Sequence, residues 1–514
     1  MKKHQTICHP HLLGLPKDYA LVAISVLVVL LATLYPFKFS FPDSFSLEEL
    51  INSFSNTSSF QDTVNNILLF LPLGFFCSSL LQKHRVKLGL EILIVILASA
   101  SLSTIVELLQ VFLPGRRPTP DDIINNTIGG FVGWLCFNWL LSRSFAYILA
   151  RIENNSSRRV NQRVAAFCLG YILLSSLNLV FWQSTTYLSN WNSNYPLVIG
   201  NEATGDRPWQ GYISKVYITD KAISAIEAAQ IFQDKDYFNN YGDSLLAAYK
   251  LDKSGQYYYR DKSGNLPKLL WRGQPVDIQE NKGALLSSSN WLETADAVKK
   301  LNKRISNTSE FTISTTVATS DISQTGPARI VSISDDPLRR NFTLGQQGTA
   351  LNLRLRTPIT GENGGDVKLN IPNIFTDKQT HNLIITYSRP IIQVYVDNLQ
   401  NSYSLNLLDL IPIDHKLFYY SLNFIPLGIY LALLSLLVKN SCVIHRLLIF
   451  LGILLPSVML ETFLVNAYGK EISLRNILIG IFFTATTAFI LKNRATILVK
   501  KSSFKLRKIN SIHF

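Results

Sequence analysis

Long apolar stretches separated by short polar ones occupy both ends of this chain, and the middle switches to short alternating runs. A helix that crosses a membrane needs about 20 largely apolar residues. Eight stretches approach that pattern: 19–35, 64–81, 88–113, 123–141, 164–182, 417–438, 447–465 and 477–491. Between the fifth and sixth, β-branched and aromatic residues cluster at 211–218, 311–317, 329–333, 383–387 and 391–396. Gly, Asn and Asp turns separate those runs, which predicts an antiparallel β-sandwich. One helix is expected there, at 224–233, where Ser224 and Glu227 have capping-box spacing. The expected fold is a multi-pass α-helical membrane protein of about eight spans, with an all-β jelly-roll sandwich inserted between spans five and six.

Charge sets the orientation. The 514 residues carry a formal net charge of +14. Over 183–414 the basic and acidic residues balance, so the excess lies in short segments beside apolar helices. Lys83, Arg85 and Lys87 mark one basic loop, Arg143, Arg151, Arg158, Arg159 and Arg163 a second, Lys439 and Arg446 a third, and residues 492–514 a basic tail. Every second loop is basic. The positive-inside rule then puts both termini in the cytoplasm and 183–414 outside. This is not a nucleic-acid footprint, which gathers basic residues on one surface. Arg116 and Arg117 are the exception, basic residues on an outer link. Cys8, Cys77, Cys136, Cys168 and Cys442 avoid the middle domain, which predicts no disulfide framework there and shows no metal-ligand spacing. Lys2, Lys3 and Lys17 precede the first apolar run, and no small-residue cleavage site follows it, so an uncleaved anchor is expected.

The candidate chemistry lies at 104–134. A helical run carrying Glu107 and Gln110 breaks at Leu113-Pro114-Gly115. A second helix opens at Asp121-Asp122 and carries Asn126. Glu107 and Gln110 share one helix face, and so do Asp122 and Asn126. A tight hairpin gathers two carboxylates, two amides and the Arg116 guanidinium at one membrane edge. Ionisable groups at such a place are costly and mark a functional site by default. The competing reading has Asp121 and Asp122 serving only a helix N-terminus, with the arginines among headgroups. The pattern also recurs. Phe70-Leu-Pro72-Leu-Gly74 returns as Phe424-Ile-Pro426-Leu-Gly428, and Glu107, Arg116 and Asp122 return as Glu461, Lys470 and Asn476. A parallel four-plus-four helix repeat follows, its second copy short of Gln110 and of the helix-start carboxylate.

The set Asn66, Phe70-x-Pro72-Leu73-Gly74, Glu107-x-x-Gln110, Arg116, Asp122, Asn126 and Gly129 resembles the VanZ-like family over roughly 19–141. The second half resembles it more weakly, departing at Lys470, Asn476 and Gly480. The resemblance implies a bacterial cytoplasmic-membrane protein of a family whose namesake lowers susceptibility to teicoplanin. Leu197-Val-Ile-Gly200-Asn201-Glu202, Arg207-Pro-Trp209-x-Gly211, Leu246-Ala-Ala-Tyr249 and Asp261-x-Ser263-Gly264-Asn265 make the middle resemble concanavalin A-like, laminin-G-like jelly rolls. The Gly-Asn-Glu…Trp-x-Gly block usually closes such domains. Here it comes first, so either the strand order is permuted or the block pairs back with the C-terminal strands. The resemblance implies glycan binding, in some cases with calcium.

The expected organisation is a VanZ-like domain at 1–163, a fifth span at 164–182, the sandwich at 183–414, a degenerate second half at 415–491 and the basic tail. The expected function is binding of an envelope glycan, a lipid-linked saccharide or a membrane lipid headgroup at Glu107, Gln110, Arg116, Asp122 and Asn126. Glu107 and Asp122 would also suit an acid/base pair acting on a lipid-linked saccharide. No Ser-His-Asp or Cys-His set accompanies them, so the enzyme reading is the weaker one. A transporter built from the repeats is a third reading. In the sandwich, Trp209 is either a sugar-stacking platform or core. Exchange of Trp209 or Arg340 would separate a sugar-reading surface from an inert one. Asn201, Glu202, Asp206, Asp335 and Asp336 offer loop oxygens for calcium, without a spacing that specifies it; no other cofactor is evident.

Overall fold

The computed structural model describes residues 15–41, 60–113, 118–141, 160–234, 237–251, 257–274, 283–437 and 443–510. Among them, helices occupy all eight expected places. The first four are α1 (Leu15–Leu34), α2 (Phe60–Lys83), α3 (Leu88–Gln110) and α4 (Pro120–Leu141). Next come α5 (Val160–Ser184), and in the sandwich α6 (Ala225–Gln233), α7 (Lys299–Thr308) and the one-turn α8 (Leu407–Leu410). The last three are α9 (Ile413–Leu437), α10 (Val443–Tyr468) and α11 (Leu474–Asn510). Five segments are long and apolar enough to cross a membrane: Asp62–Lys83, Leu88–Gln110, His415–Ser435, Ile449–Ala467 and Leu474–Lys492. Tyr19–Leu34 and Cys168–Ser184 are shorter apolar helices.

The chain divides into two compact units. The first comprises Met1–Tyr171, Phe424–Ile453 and Phe482–Phe514, the second Ile172–Asn423 and Leu454–Ile481. In the first unit, glycines let α2 and α4 touch backbone to backbone. A Cβ on Gly74 would stand 1.9 Å from the Gly130 carbonyl oxygen, and one on Gly133 2.1 Å from that of Leu71. Small residues allow such approach where dispersion, rather than water exclusion, holds helices together. Val29 of α1, Phe70 and Leu73 of α2 and Val106 of α3 fill the space beside that crossing.

The second unit holds the sandwich. Its strands are β1 (Leu197–Ile199), β2 (Gly211–Thr219), β3 (Leu245–Lys250), β4 (Tyr258–Tyr259), β5 (Leu269–Arg272), β6 (Ala284–Leu286), β7 (Trp291–Thr294) and β8 (Glu310–Thr319). They continue as β9 (Ala328–Ser334), β10 (Arg340–Gln347), β11 (Ala350–Leu355), β12 (Leu369–Ile371), β13 (His381–Ser388), β14 (Ile391–Val396) and β15 (Asn398–Asn406). One antiparallel sheet runs β12-β11-β10-β9-β1-β7-β5-β4, the other β15-β14-β13-β8-β2-β3 with β6 also on β2. The core lies between them, with Ile213 and Ile218, Phe311 and Ile313, Val331 and Ile333, and Phe342 and Leu344 fully buried or nearly so. The Gly-Asn-Glu…Trp-x-Gly block does not pair back with the C-terminal strands. It supplies β1 and β2, which sit inside the two sheets beside β9 and β8.

Helix α6 has the expected capping box: the Ser224 hydroxyl accepts from the Glu227 N–H, and the Glu227 carboxylate accepts from that of Ser224. Helix α7 was not expected, because only Leu301, Asn302 and Ile305 of its ten residues turn inward. Asp261 orders the turn before β5, accepting from the N–H groups of Ala248, Ser263, Asn265 and Leu266. The sandwich is rooted on helix ends of its own unit. The Tyr387 hydroxyl donates to the Thr186 carbonyl at 2.5 Å, and Trp182 packs on Tyr419 and Tyr420.

Candidate functional site

The α3–α4 link brings Glu107 and Asp122 into one network through Thr119. Glu107, 2 % exposed, sits in the last turn of α3, and its Oε2 accepts from the Thr119 N–H at 3.0 Å. Thr119 caps α4: its hydroxyl accepts from the Asp122 N–H at 3.1 Å, and Pro120 fills the first helical position, where a missing N–H costs nothing. The cap is therefore the threonine; Asp121 and Asp122 lie in the first turn, where the helix dipole favours negative charge. Asn66 of α2 donates to Asp122 Oδ1 at 2.7 Å. One turn deeper, Asn126 donates to the Ser103 hydroxyl at 2.8 Å, and its own Oδ1 has no partner among the described residues.

Four of the five hairpin residues are thus described, and three converge: Glu107, Asp122 and Asn126. Gln110 does not join them. Its amide turns to α1 and donates to the Thr33 carbonyl at 3.2 Å. Arg116 lies outside the described residues. Asn66, Ser103 and Thr119 complete the network and were not expected as site residues. Asn66 stood in the motif, but nothing in sequence aligns α2 with the start of α4. Glu91, a carboxylate inside the apolar α3 run, was also missed; it is 2 % exposed and accepts from Asn138 at 2.8 Å.

The second hairpin has the same wiring with different outer residues. Glu461, 2 % exposed, accepts from the Ser473 N–H at 2.8 Å, and that serine again lies twelve residues on, as Thr119 does from Glu107. The Ser473 hydroxyl accepts from the Asn476 N–H at 3.4 Å. Lys470 donates to Glu461 Oε1 at 2.5 Å and lies 3.7 Å from Asp409. Glu461 Oε2 and Asn476 Oδ1 have no partner among the described residues.

In the sandwich, Trp209 is a correction to the sugar-platform reading. It is wholly buried, with its indole N–H on Gln346 Oε1 at 2.9 Å, so its ring belongs to the core. The loop oxygens that would have served calcium are engaged elsewhere. Glu202 holds Arg329, Asp335 and Asp336 hold Arg339, and Asn201 Oδ1 accepts from the Glu202 and Arg207 N–H groups. Among the described residues no group of three or more His, Cys, Asp or Glu side chains could hold a metal ion.

Residues 20–141 match the VanZ/LLP1 family. That match spans α1 to α4 and so includes the whole Glu107–Asp122 network. No curated protein and no solved structure matches the chain. The described residues thus combine a VanZ-like helical region with an antiparallel β-sandwich.

Proposed function

We propose that this VanZ-like protein binds an envelope glycan, a lipid-linked saccharide or a lipid headgroup at the α3–α4 link, on the outer face of a bacterial cytoplasmic membrane. The observation that carries the reading is the burial of Glu107 beside Asp122 within a ring of amides and hydroxyls at a helix entrance. Ionised groups there are costly unless they act. The eight helices would all cross the membrane, with both termini inside and 183–414 outside. The basic loops support that orientation. The shared wiring of the two hairpins supports a parallel repeat, with the second copy mainly structural because Leu464 and Asn476 stand where the first has Gln110 and Asp122. Through its family the chain would then alter teicoplanin susceptibility.

The test is mass spectrometry of lipids and glycans that co-purify in mild detergent with wild type, Asp122→Asn and Arg116→Ala. A lipid-linked saccharide or anionic lipid present in wild type and absent from both folded variants supports the reading. Equal levels in all three would reduce the link to helix capping. The convergence of Glu107 and Asp122 on Thr119 favours one second reading, acid/base work on a lipid-linked saccharide. Turnover that stops in Glu107→Gln would establish it.

A further inference from the structure

The outward face of β9, β10 and β11 carries guanidinium groups whose N–H donors are not all satisfied among the described residues. Paired residues in an antiparallel sheet point to the same side. Phe342, Ile333, Leu344, Val331, Leu353 and Leu355 pair among themselves and enter the core. The other side is set by Thr343, which pairs with both Ser332 and Arg354, and by Gly345, which pairs with Arg329 and Asn352. Alternation along β10 would send Arg340 into the core with Phe342. A register shift between the two prevents this, and Arg340 pairs with Ser334 instead. A bulge thus re-aims one arginine to join two others.

This polar layer is closed to water over most of its area. Arg329 and Arg340 are each 2 % exposed, and Ser332, Ser334 and Thr343 are fully buried. Glu202 is the carboxylate within it. Its Oε2 takes Arg329 at 3.2 Å and its Oε1 takes the hydroxyls of Ser332 and Ser334, and its charge reaches Arg340 without a hydrogen bond among the described residues. Arg340 is left with Nε and Nη1 unpaired, Arg354 with Nε unpaired, and Thr343 with its hydroxyl unpaired, among the described residues. Asp336, which also acts on Arg340, is already bound to Arg339 at 2.8 Å. Burial, followed by the Arg329 and Arg354 charges, pushes Arg340 down to about 9. Arginine keeps its proton in proteins, so relief comes from a counter-charge rather than from deprotonation. Leaving a buried guanidinium without a hydrogen-bonded counter-charge is costly, as breaking a buried ion pair is. Arg354 and Arg207 are partly exposed and mark the open side of the layer.

We propose that this face is an oxyanion site, in which Arg340 and Arg354, backed by Arg329 and with Thr343 donating, hold the acidic group of an anionic saccharide. A planar fork with several N–H donors suits a carboxylate, sulfate or phosphate in two-point contact. The saccharide part of this inference rests on the envelope reading above; the anion part stands on the sandwich alone. Substitution at Trp209 would test core packing, whereas Arg340 is where recognition would be lost.

The experiment is thermal unfolding of the full chain in detergent at fixed ionic strength, with sulfate, galacturonate, neutral galactose or chloride alone. Sulfate and galacturonate should raise the wild-type midpoint and galactose should not. Arg340→Met and Arg354→Gln should each weaken the anion response at least tenfold. Arg340→Met should also melt no lower than wild type without anion, because it removes an unpaired buried charge; a merely structural arginine would lower it. Should Arg340→Met fail to fold, that result counts against the proposal, and the partly exposed Arg354→Gln still reads the anion response. A sulfate response without a galacturonate response keeps the oxyanion site and removes the saccharide. Equal stabilisation by galactose and galacturonate, unchanged in both variants, overturns the anion site while leaving glycan binding intact. No anion-specific shift in wild type overturns the proposal outright.

Discussion

In the hairpin of α3 and α4, a buried glutamate accepts from the backbone of a capping threonine, and an aspartate and an asparagine follow on the next helix. In that of α10 and α11, a buried glutamate accepts from a capping serine, and an asparagine and a glycine follow. The backbone scheme is the same and the outer chemistry is not. Lys470 fills the second site with an internal cation, whereas in the first Asn66 engages Asp122, and Arg116, the counterpart of Lys470, lies outside the described residues. A helix-to-helix turn can thus be copied faithfully while its polar mouth changes use.

The largest effect should come from breaking the neutral pair. Lys470→Met strands Glu461 as a buried charge and should cost about 3–5 kcal/mol. A paired Glu461→Gln should recover most of that in detergent melting. No recovery would mean that Lys470 is held by something other than this glutamate. The glycine crossings should give the next effect. Gly74→Ala drives a Cβ into the Gly130 carbonyl, at a cost of about 1–3 kcal/mol or more. Gly428→Ala should cost less, because its Cβ would stand 2.7 Å from the Thr484 carbonyl oxygen and from the Thr487 Cβ, against 1.9 Å from the Gly130 oxygen at Gly74. Equal midpoints for the two variants would break the distinction between tight and loose crossings.

Removing the caps sharpens the comparison further. Thr119→Val and Ser473→Ala should each cost about 1 kcal/mol. Similar losses of midpoint would support one scheme in both hairpins, and a loss in only one would sink it. The smallest effect belongs to the sandwich and reports which region melts. His381 is held above its ordinary value, first by its bond to Asp397 and then by the Asp397 and Asp377 charges, against burial. The stability it adds is fully present below the unfolded value of about 6.5 and fades as pH rises through the folded value. Wild type should therefore exceed His381→Gln by under about 1 kcal/mol at acid pH. The two should converge toward pH 8. A pH-independent gap would show that the charged histidine is not what matters.

The hairpin was legible because its residues are close in sequence and each carries its own local logic. Helix periodicity put Glu107 and Gln110 on one face and Asp122 and Asn126 on another, and the helix start was read at Asp121-Asp122, one residue past Pro120, while the cap itself is Thr119. Asn66 and Ser103 were not legible as partners, since nothing local says which helix faces Asp122 or Asn126. Gln110 shows the same limit in reverse: it shares a helix face with Glu107 yet bonds to α1. Trp209 stayed ambiguous because an aromatic in an alternating run suits a core and a surface equally.

By itself the sequence determined the apolar helical places, the loop charges, the strand runs of the middle domain and the Ser224 capping box. Each depends on residues within a few positions of one another, where propensity and periodicity act directly. The tertiary structure alone decided that β1 and β2 lie inside the two sheets rather than beside the C-terminal strands. It also turned Arg340 out of the core, through a register shift that no local pattern announces. Strand pairing is settled by the burial of whole faces at once, and one extra residue in a ladder reverses which side a charge must occupy.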